Sequence, residues 1–323
     1  MKRSCAPMRQ RGAALLLAMI IVALVATVTA GMVWQQTRAV TVEAAERARA
    51  QAGWILSGAL DWARLILRED QRTNQNRAQP YDSLDEPWAT PLAEARLSTF
   101  LAADKDNNAD GGPEAFISGS IADAQAHFNL RGMLADDGKV LPLQQAALER
   151  LCGQAGVPTD AAARIGLALA SALVPTGNEG AAGPPLRPSR LLDLAWAGIE
   201  PEVLAKLEPF AILLPVATPV NLNTASREVM VAAIDGIDLG SAERLVQERQ
   251  RRPFHTLDEV REQLPPGTTL EPNRVSVVSS YFEVSGRLRL EDRVLEERSL
   301  LVRRDNRVDV LRRERQSFSA AGR

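Results

Sequence analysis

A chain of 323 residues, 46% hydrophobic and 24% charged, has the composition of a folded protein and is long enough for two domains beside an anchor. Its formal charge is −2, but four cations (Lys2, Arg3, Arg9, Arg11) precede Gly12 and without them the charge is −6, which argues against a general binder of nucleic acid. Of the two cysteines, Cys5 lies in this basic leader, so a chain cut behind it keeps Cys152 alone and has no disulfide framework.

The first element follows the leader directly. Residues 9–24 read RQRGAALLLAMIIVAL, no charged side chain occurs from Gly12 to Thr37, and residues 13–34 are almost wholly apolar. A helix rises 1.5 Å per residue, so ~20 residues cross the ~30 Å hydrocarbon layer, and residues 13–37 are predicted to span a membrane. Cations precede the span, whereas Arg38 is soon followed by Glu43 and Glu46. The positive-inside rule therefore puts the N-terminus in the cytoplasm and the bulk of the chain outside. Two other readings compete: a secretory signal cut after Val28-Thr29-Ala30, and a simple signal anchor.

Beyond the span, Val42, Ala45, Ala52, Ile55, Leu56, Ala59, Leu60, Ala63, Ile66 and Leu67 recur at three- and four-residue spacing with charges between them. One helix is expected to run on to about Glu69 and stop near the turn-prone TNQN, ~57 residues or roughly 85 Å in all. A cleaved signal has no reason to continue into such a rod.

DEPWATP (residues 85–91) reads as a loop from its prolines and acids. ADKDNNADGGPE (residues 103–114) carries a metal signal: Asp106, Asn108 and Asp110 before Gly111 match the opening of a calcium loop, where alternating oxygens converge on a hard cation. The acid expected at the twelfth place is replaced by Ile117, so Asp104, Glu114 or a carboxylate from elsewhere would complete the shell. The competing reading is a solvated acidic turn.

Residues 116–130 are weakly strand-like. From Val140 to Leu264 the apolar spacing becomes helical, interrupted by PTGNEGAAGPPLRP (residues 175–188), whose four prolines and three glycines predict a connecting loop. Within this region residues 219–254 resemble a helix-hairpin-helix element, which binds DNA by pointing backbone amides of a Gly-containing hairpin at phosphate. The hairpin is Ile234 to Gly240, but Asp238 stands where a second glycine should admit the phosphate, no lysine follows, and residues 221–264 hold eight acids against six arginines. A packing module without nucleic acid is the expectation. After Pro272 the period becomes two: Phe282, Val284, Leu288 and Leu290 alternate around Gly286, and Asp305-Asn306 form the turn between two further strands.

Catalysis finds little support. His127 and His255 lie far apart, Cys152 sits in an apolar helical pattern that predicts an inert, buried thiol, and no nucleophile elbow, zinc-binding helix or phosphate loop is present in the sequence. An enzyme is not expected.

A basic leader ending in Gly12, an apolar helix from Ala13 and its amphipathic continuation resemble the type IV prepilin class, cut by a prepilin peptidase between Gly12 and Ala13 and then N-methylated. Most of that class carries a glutamate five residues after the cut; Leu17 stands here, as in the minor pseudopilin K family of type II secretion systems. DEPWATP, ISGSIADAQAHFNL, the run from LEPF to LPVATPVNLNTAS, SYFEVSGRLRL and SLLVRR are similar to that family as well.

The resemblance implies an α+β fold: a pilin-like long N-terminal helix packed on a small antiparallel sheet, with a large inserted all-helical domain similar to SAM and helix-hairpin-helix domains. The implied layout is a leader over 1–12, a transmembrane helix over 13–37, its periplasmic continuation over 38–70, the first part of the pilin-like domain over 71–138, the inserted domain over 139–270 and closing strands over 271–323. It further implies a single-pass protein of the bacterial inner membrane with its C-terminal part in the periplasm, bound calcium, and minor pseudopilins I and J as partners, with minor pseudopilin H and the major pseudopilin beneath. Its role would be to cap the tip of the pseudopilus and to initiate or limit its assembly for protein export. The alternative is a membrane-anchored exported protein that binds DNA through residues 219–254.

Overall fold

The computed structural model describes residues 11–97, 115–173, 186–290 and 293–319. The chain divides into two compact units, residues 1–57 and 58–323. The first consists, where described, of the initial residues of helix α1 (Arg11–Gln75). No proline occurs between Pro7 and Pro80, so nothing breaks the backbone ladder of this helix. Exposed ion pairs one turn apart, Glu43 with Arg47 and Glu46 with Arg49, support its polar stretch. The helix runs past Glu69 and ends at Gln75, within the TNQN stretch where its stop was expected. The Thr73 hydroxyl donates back to the Glu69 carbonyl, and the buried Asn74 amide donates to Asp82, so the turn-prone residues are held in the helix.

The second unit is built on a five-stranded antiparallel sheet. In chain order its strands are β1 (Leu92–Arg96), β2 (Ala115–Asp123), β7 (Tyr281–Leu290), β8 (Arg293–Arg304) and β9 (Arg307–Ser319), and they lie side by side in that same order. The β8–β9 turn is the two residues Asp305 and Asn306, with φ of 45° and 62°, the left-handed pair that suits the twist of a hairpin. Gly286 of β7 faces Gly119 of β2, and a Cβ added at Gly119 would lie 2.8 Å from the Ser285 carbonyl oxygen. One face of the sheet buries Phe282, Val284, Leu301 and Val308 against Leu60, Ala63 and Leu67 of α1 and against Trp88. The opposite face buries Tyr281, Leu300 and Val302 with Ala124, Ile212 and Leu214.

Between β2 and β7 the chain is mainly helical: α2 (Pro142–Gln154), α3 (Asp160–Leu173), α4 (Pro201–Leu207), α5 (Arg227–Ala233), α6 (Leu239–Arg251) and α7 (Leu257–Glu262). They share one apolar core that includes Leu148, Leu151, Ile165, Leu194, Met230 and Leu245. Two short parallel ladders, absent from the sequence reading, punctuate this region. β3 (Phe128–Asn129) pairs with β4 (Ala211–Ile212), and β5 (Val220–Asn221) pairs with β6 (Val275–Ser276). Asn129 reinforces the first, accepting from the Leu214 amide and donating to the Val216 carbonyl. The long helix, the antiparallel sheet and the additional helices make the α+β fold that was expected. Residues 174–185, most of the proline-rich stretch, lie outside the described residues.

Candidate functional site

Two features carry functional weight: the apolar start of α1, and a buried polar junction in the second unit. Gly12 and Ala13 lie in the first turn of α1, and Leu17 follows one turn further on, 61% exposed. From Ala13 to Trp34 every residue is exposed. A helix that is apolar all round requires an apolar surrounding, and this one is long and apolar enough to cross a membrane. Its few polar groups are turned inward: the hydroxyls of Thr27, Thr29 and Thr37 donate to the carbonyl oxygens of Leu24, Val25 and Val33, each at 2.9 Å. No hydroxyl there needs water. Arg38 closes the apolar run with its guanidinium 5.6 Å from the Trp34 ring, the kind of pair that suits a membrane–water boundary.

The polar junction gathers acids far apart in sequence. Asp70 comes from α1, Asp82 and Glu86 from the segment after it, and Asp123 from the end of β2. Oxygens of Asp70, Asp82 and Glu86 lie within 4.8 Å of one another, the only such set of potential metal ligands among the described residues. The positive charge there belongs to the protein itself. Arg303 of β8, with its side chain 4% exposed, pairs with Asp70 through Nη1 and with Asp82 through Nη2 at 2.6 Å, and also donates to the Ser279 carbonyl. Arg77 pairs with Glu86 at 2.8 Å, and the second Glu86 oxygen accepts from the Ser83 amide and the Trp88 indole. Asp123 is satisfied by four donors: the Gln125 amide, Asn221 Nδ2, the Thr224 hydroxyl and the Ser279 hydroxyl.

Burial dominates the proton affinity of these acids. It pushes Asp70 up to about 7, helped by the charges of Glu86 and Asp82 and opposed by Arg303. Burial likewise pushes Asp82 up to about 6 against the opposing charge of Arg303 and the hydrogen bond from Ser279. Asp123 is also raised by burial, although all four donors favour its charged form. DEPWATP is more than the expected loop. In the structure Pro87–Ala89 forms a 3₁₀ turn that buries Trp88 against Phe282, rings 5.2 Å apart, and thereby draws Glu86 inside. A tryptophan among acids and prolines was the one available signal. The acids at 70, 82 and 123 and Arg303 carried none.

The hairpin spends its polar groups internally. Asp238 caps α6, its carboxylate accepting from the Ser241 amide at 2.7 Å, so a carboxylate of the chain itself occupies the helix N-terminus where a phosphate would sit. Burial alone would raise Asp235; the hydrogen bond and charge of Arg274, with the charge of Arg150, outweigh it and hold this carboxyl below the usual range. Arg249 donates to the Leu222 carbonyl, and burial lowers its pKa to about 10.

Cys152 is fully buried, and burial, with the charges of Glu149 and Asp160, pushes its thiol up to about 11, which leaves it unreactive. Burial lowers the pKa of His127, while His255 stacks on Tyr81 with ring centroids 4.5 Å apart. Asp104, Asp106, Asn108, Asp110 and Glu114, the expected calcium ligands, lie outside the described residues.

An apolar helix, exposed on every side from Ala13 to Trp34, is thus continued into an antiparallel α+β body. Residues 220–280 match the family model of the type II secretion system (T2SS) protein K. The type II secretion system protein K of Pseudomonas aeruginosa (strain PAO1) is 30% identical over 329 residues, covering 94% of this chain and 92% of that protein. The protein of the same name from Pectobacterium carotovorum subsp. carotovorum is 27% identical over 335 residues, covering 95% and 96%. In fold the chain is similar to one in the crystal structure of the GspK-GspI-GspJ complex of the enterotoxigenic Escherichia coli type 2 secretion system, with a TM-score of 0.62 at 20% identity over 84% of this chain and 98% of that one. The chain belongs to the type II secretion system protein K family, minor pseudopilins that are structural components of a protein-secretion system.

Proposed function

We propose that this minor pseudopilin caps the tip of the periplasmic pseudopilus and initiates or limits its assembly, as part of the machinery that moves folded proteins across the outer membrane. The observation that carries this reading is Leu17. In pilin-like fibres the usual glutamate at this position pairs with the N-terminal amine of a neighbour, because a carboxylate among apolar helices is tolerated only when partnered. A charge in such a helix costs ~2.5 to 3.5 kcal/mol even on the mildest scale, so a subunit with no neighbour above it is more stable without one. The solved complex of GspK with GspI and GspJ supports minor pseudopilins I and J as close partners here. In this reading minor pseudopilin H and the major pseudopilin lie beneath them.

In this reading residues 13–34 anchor the chain in the bacterial inner membrane, the N-terminus is cytoplasmic and the remainder is periplasmic. A prepilin peptidase cuts between Gly12 and Ala13, and the new N-terminus is methylated. Calcium is held by Asp106, Asn108 and Asp110, completed by Asp104 or Glu114. The protein performs no catalysis and binds no nucleic acid, in keeping with its buried Cys152 and the internal pairing of Asp235 and Asp238. Cysteine crosslinking along α1 tests the position in the fibre: contacts confined to subunits on one side agree with a tip, and self-crosslinks repeated along the shaft rule it out.

A further inference from the structure

A cleft of about 250 Å³ opens where one face of the sheet meets the helical region. Ile212 of β4 and Leu300 of β8, buried in one apolar cluster, make part of its lining aliphatic. Four glutamates and three arginines also line it, so the cleft carries surplus negative charge. Two of the arginines are spent. Arg190 pairs with Asp193 at 2.8 Å and with Glu314 at 3.0 Å; Arg312 pairs with Glu314 at 2.9 Å and donates to the Ser189 carbonyl. The third, Arg298, is exposed and pairs with no acid among the described residues.

Spare acceptors outnumber spare donors. Glu208, on the helical side, has no ion pair among the described residues. On the sheet side Glu283 reaches Arg312 only at 3.9 Å, and Glu296 reaches Arg287 only at 3.7 Å. His127 lines the cleft too; its Nδ1 is buried with no hydrogen-bond partner, and burial favours the neutral ring, which can accept. Such a site calls for a cation that brings its own N–H groups. A single metal ion does not suit it: among the described residues only Asp70, Asp82 and Glu86 bring three ligand atoms within 4.8 Å of one another, so no three of the cleft's acids and His127 converge. Glu208 and Glu283 instead stand on different walls. A cation charged at both ends of an aliphatic chain matches them, its ends reaching separate carboxylates while its methylenes cover Ile212 and Leu300. The volume, below the ~300–1,000 Å³ of pockets for drug-sized ligands, limits it to a small molecule. We propose that the cleft binds an aliphatic diamine or polyamine, with one ammonium on Glu208, another on Glu283 and the chain over Ile212 and Leu300.

Isothermal titration calorimetry of the full-length protein in an uncharged detergent, with putrescine and spermidine as probes, tests this. Each should bind saturably at one site, whereas butylamine, with the same chain as putrescine but a single charge, should bind about tenfold more weakly or worse. Glu208→Gln and Glu283→Gln each remove one charged acceptor and should each weaken spermidine binding about tenfold. Glu208 is exposed and the Glu283 side chain is 42% exposed, so neither substitution empties a buried site. Absence of saturable binding, equal affinity for butylamine, or unchanged affinity in either variant overturns the proposal. Full displacement of spermidine by magnesium chloride at matched ionic strength overturns it as well, because binding is then a general attraction for cations.

Discussion

Replacing Arg303 by Met removes the cation on which two buried acids converge and keeps a long apolar stem in its place. The native guanidinium faces Asp70, 7% exposed, and Asp82, fully buried, donates to the Ser279 carbonyl, and lies 4.9 Å from the centre of the Phe282 ring. Breaking a buried pair from one side leaves the other charge uncompensated and costs about 3–5 kcal/mol. At about 2–4 °C per kcal/mol for a domain of this size, the melting temperature should fall by about 6–20 °C at pH 8. The loss should be smaller at pH 5.5. Asp70 and Asp82, raised by burial to about 7 and about 6, then carry protons in the folded state and need the arginine less. The assay is thermal unfolding of the full-length protein in detergent, followed by near-ultraviolet circular dichroism at both pH values. A loss under about 1 kcal/mol at pH 8, typical of a surface pair, or the same loss at both pH values, would refute the reasoning.

Gly12→Val places a branched side chain at the expected cut and should leave the leader attached, read as an unprocessed band in cells with an active prepilin peptidase; normal maturation would remove the cut from this position. Chelation of calcium should lower the melting temperature of wild type by mass action but leave Asp110→Ala unaffected. Equal melting of wild type with calcium and with chelator would leave a solvated acidic turn at residues 103–114.

The elements written locally were legible. The apolar run from Ala13, the three-and-four spacing through Leu67 and the Asp305-Asn306 turn each depend on neighbours within a few residues, and period and turn chemistry report such neighbours directly. The junction was not legible, because its members meet only through the fold: Arg303 follows Asp82 by 221 positions. In sequence Arg303 is one more charge in SLLVRR, and nothing marks it as buried. The parallel ladders were equally silent, since two residues such as Val220 and Asn221 are too short to show any period. At the hairpin, Asp238 stood out in the sequence only as the residue in a second glycine's place; its use as the cap of α6 is what the structure adds.

Those ladders bear on how the chain reaches its fold. The β2–β7 pairing joins Asp123 to Phe282, 159 positions later, and closing a flexible loop costs entropy that grows with the logarithm of its length. The β3–β4 ladder ties off residues 130–210 and the β5–β6 ladder ties off residues 222–274, so once both have formed only about 20 residues of open chain separate the strands. Once the ladders exist, that shortening lowers the closure cost of the β2–β7 pairing by about 2 kcal/mol, so the helical region is expected to form before the sheet. Leu148→Ala in the helical core should then slow refolding, whereas Leu301→Ala in the sheet should chiefly speed unfolding; the reverse pattern in stopped-flow traces would place the sheet first. The central strands of the sheet thus wait on a domain inserted between them.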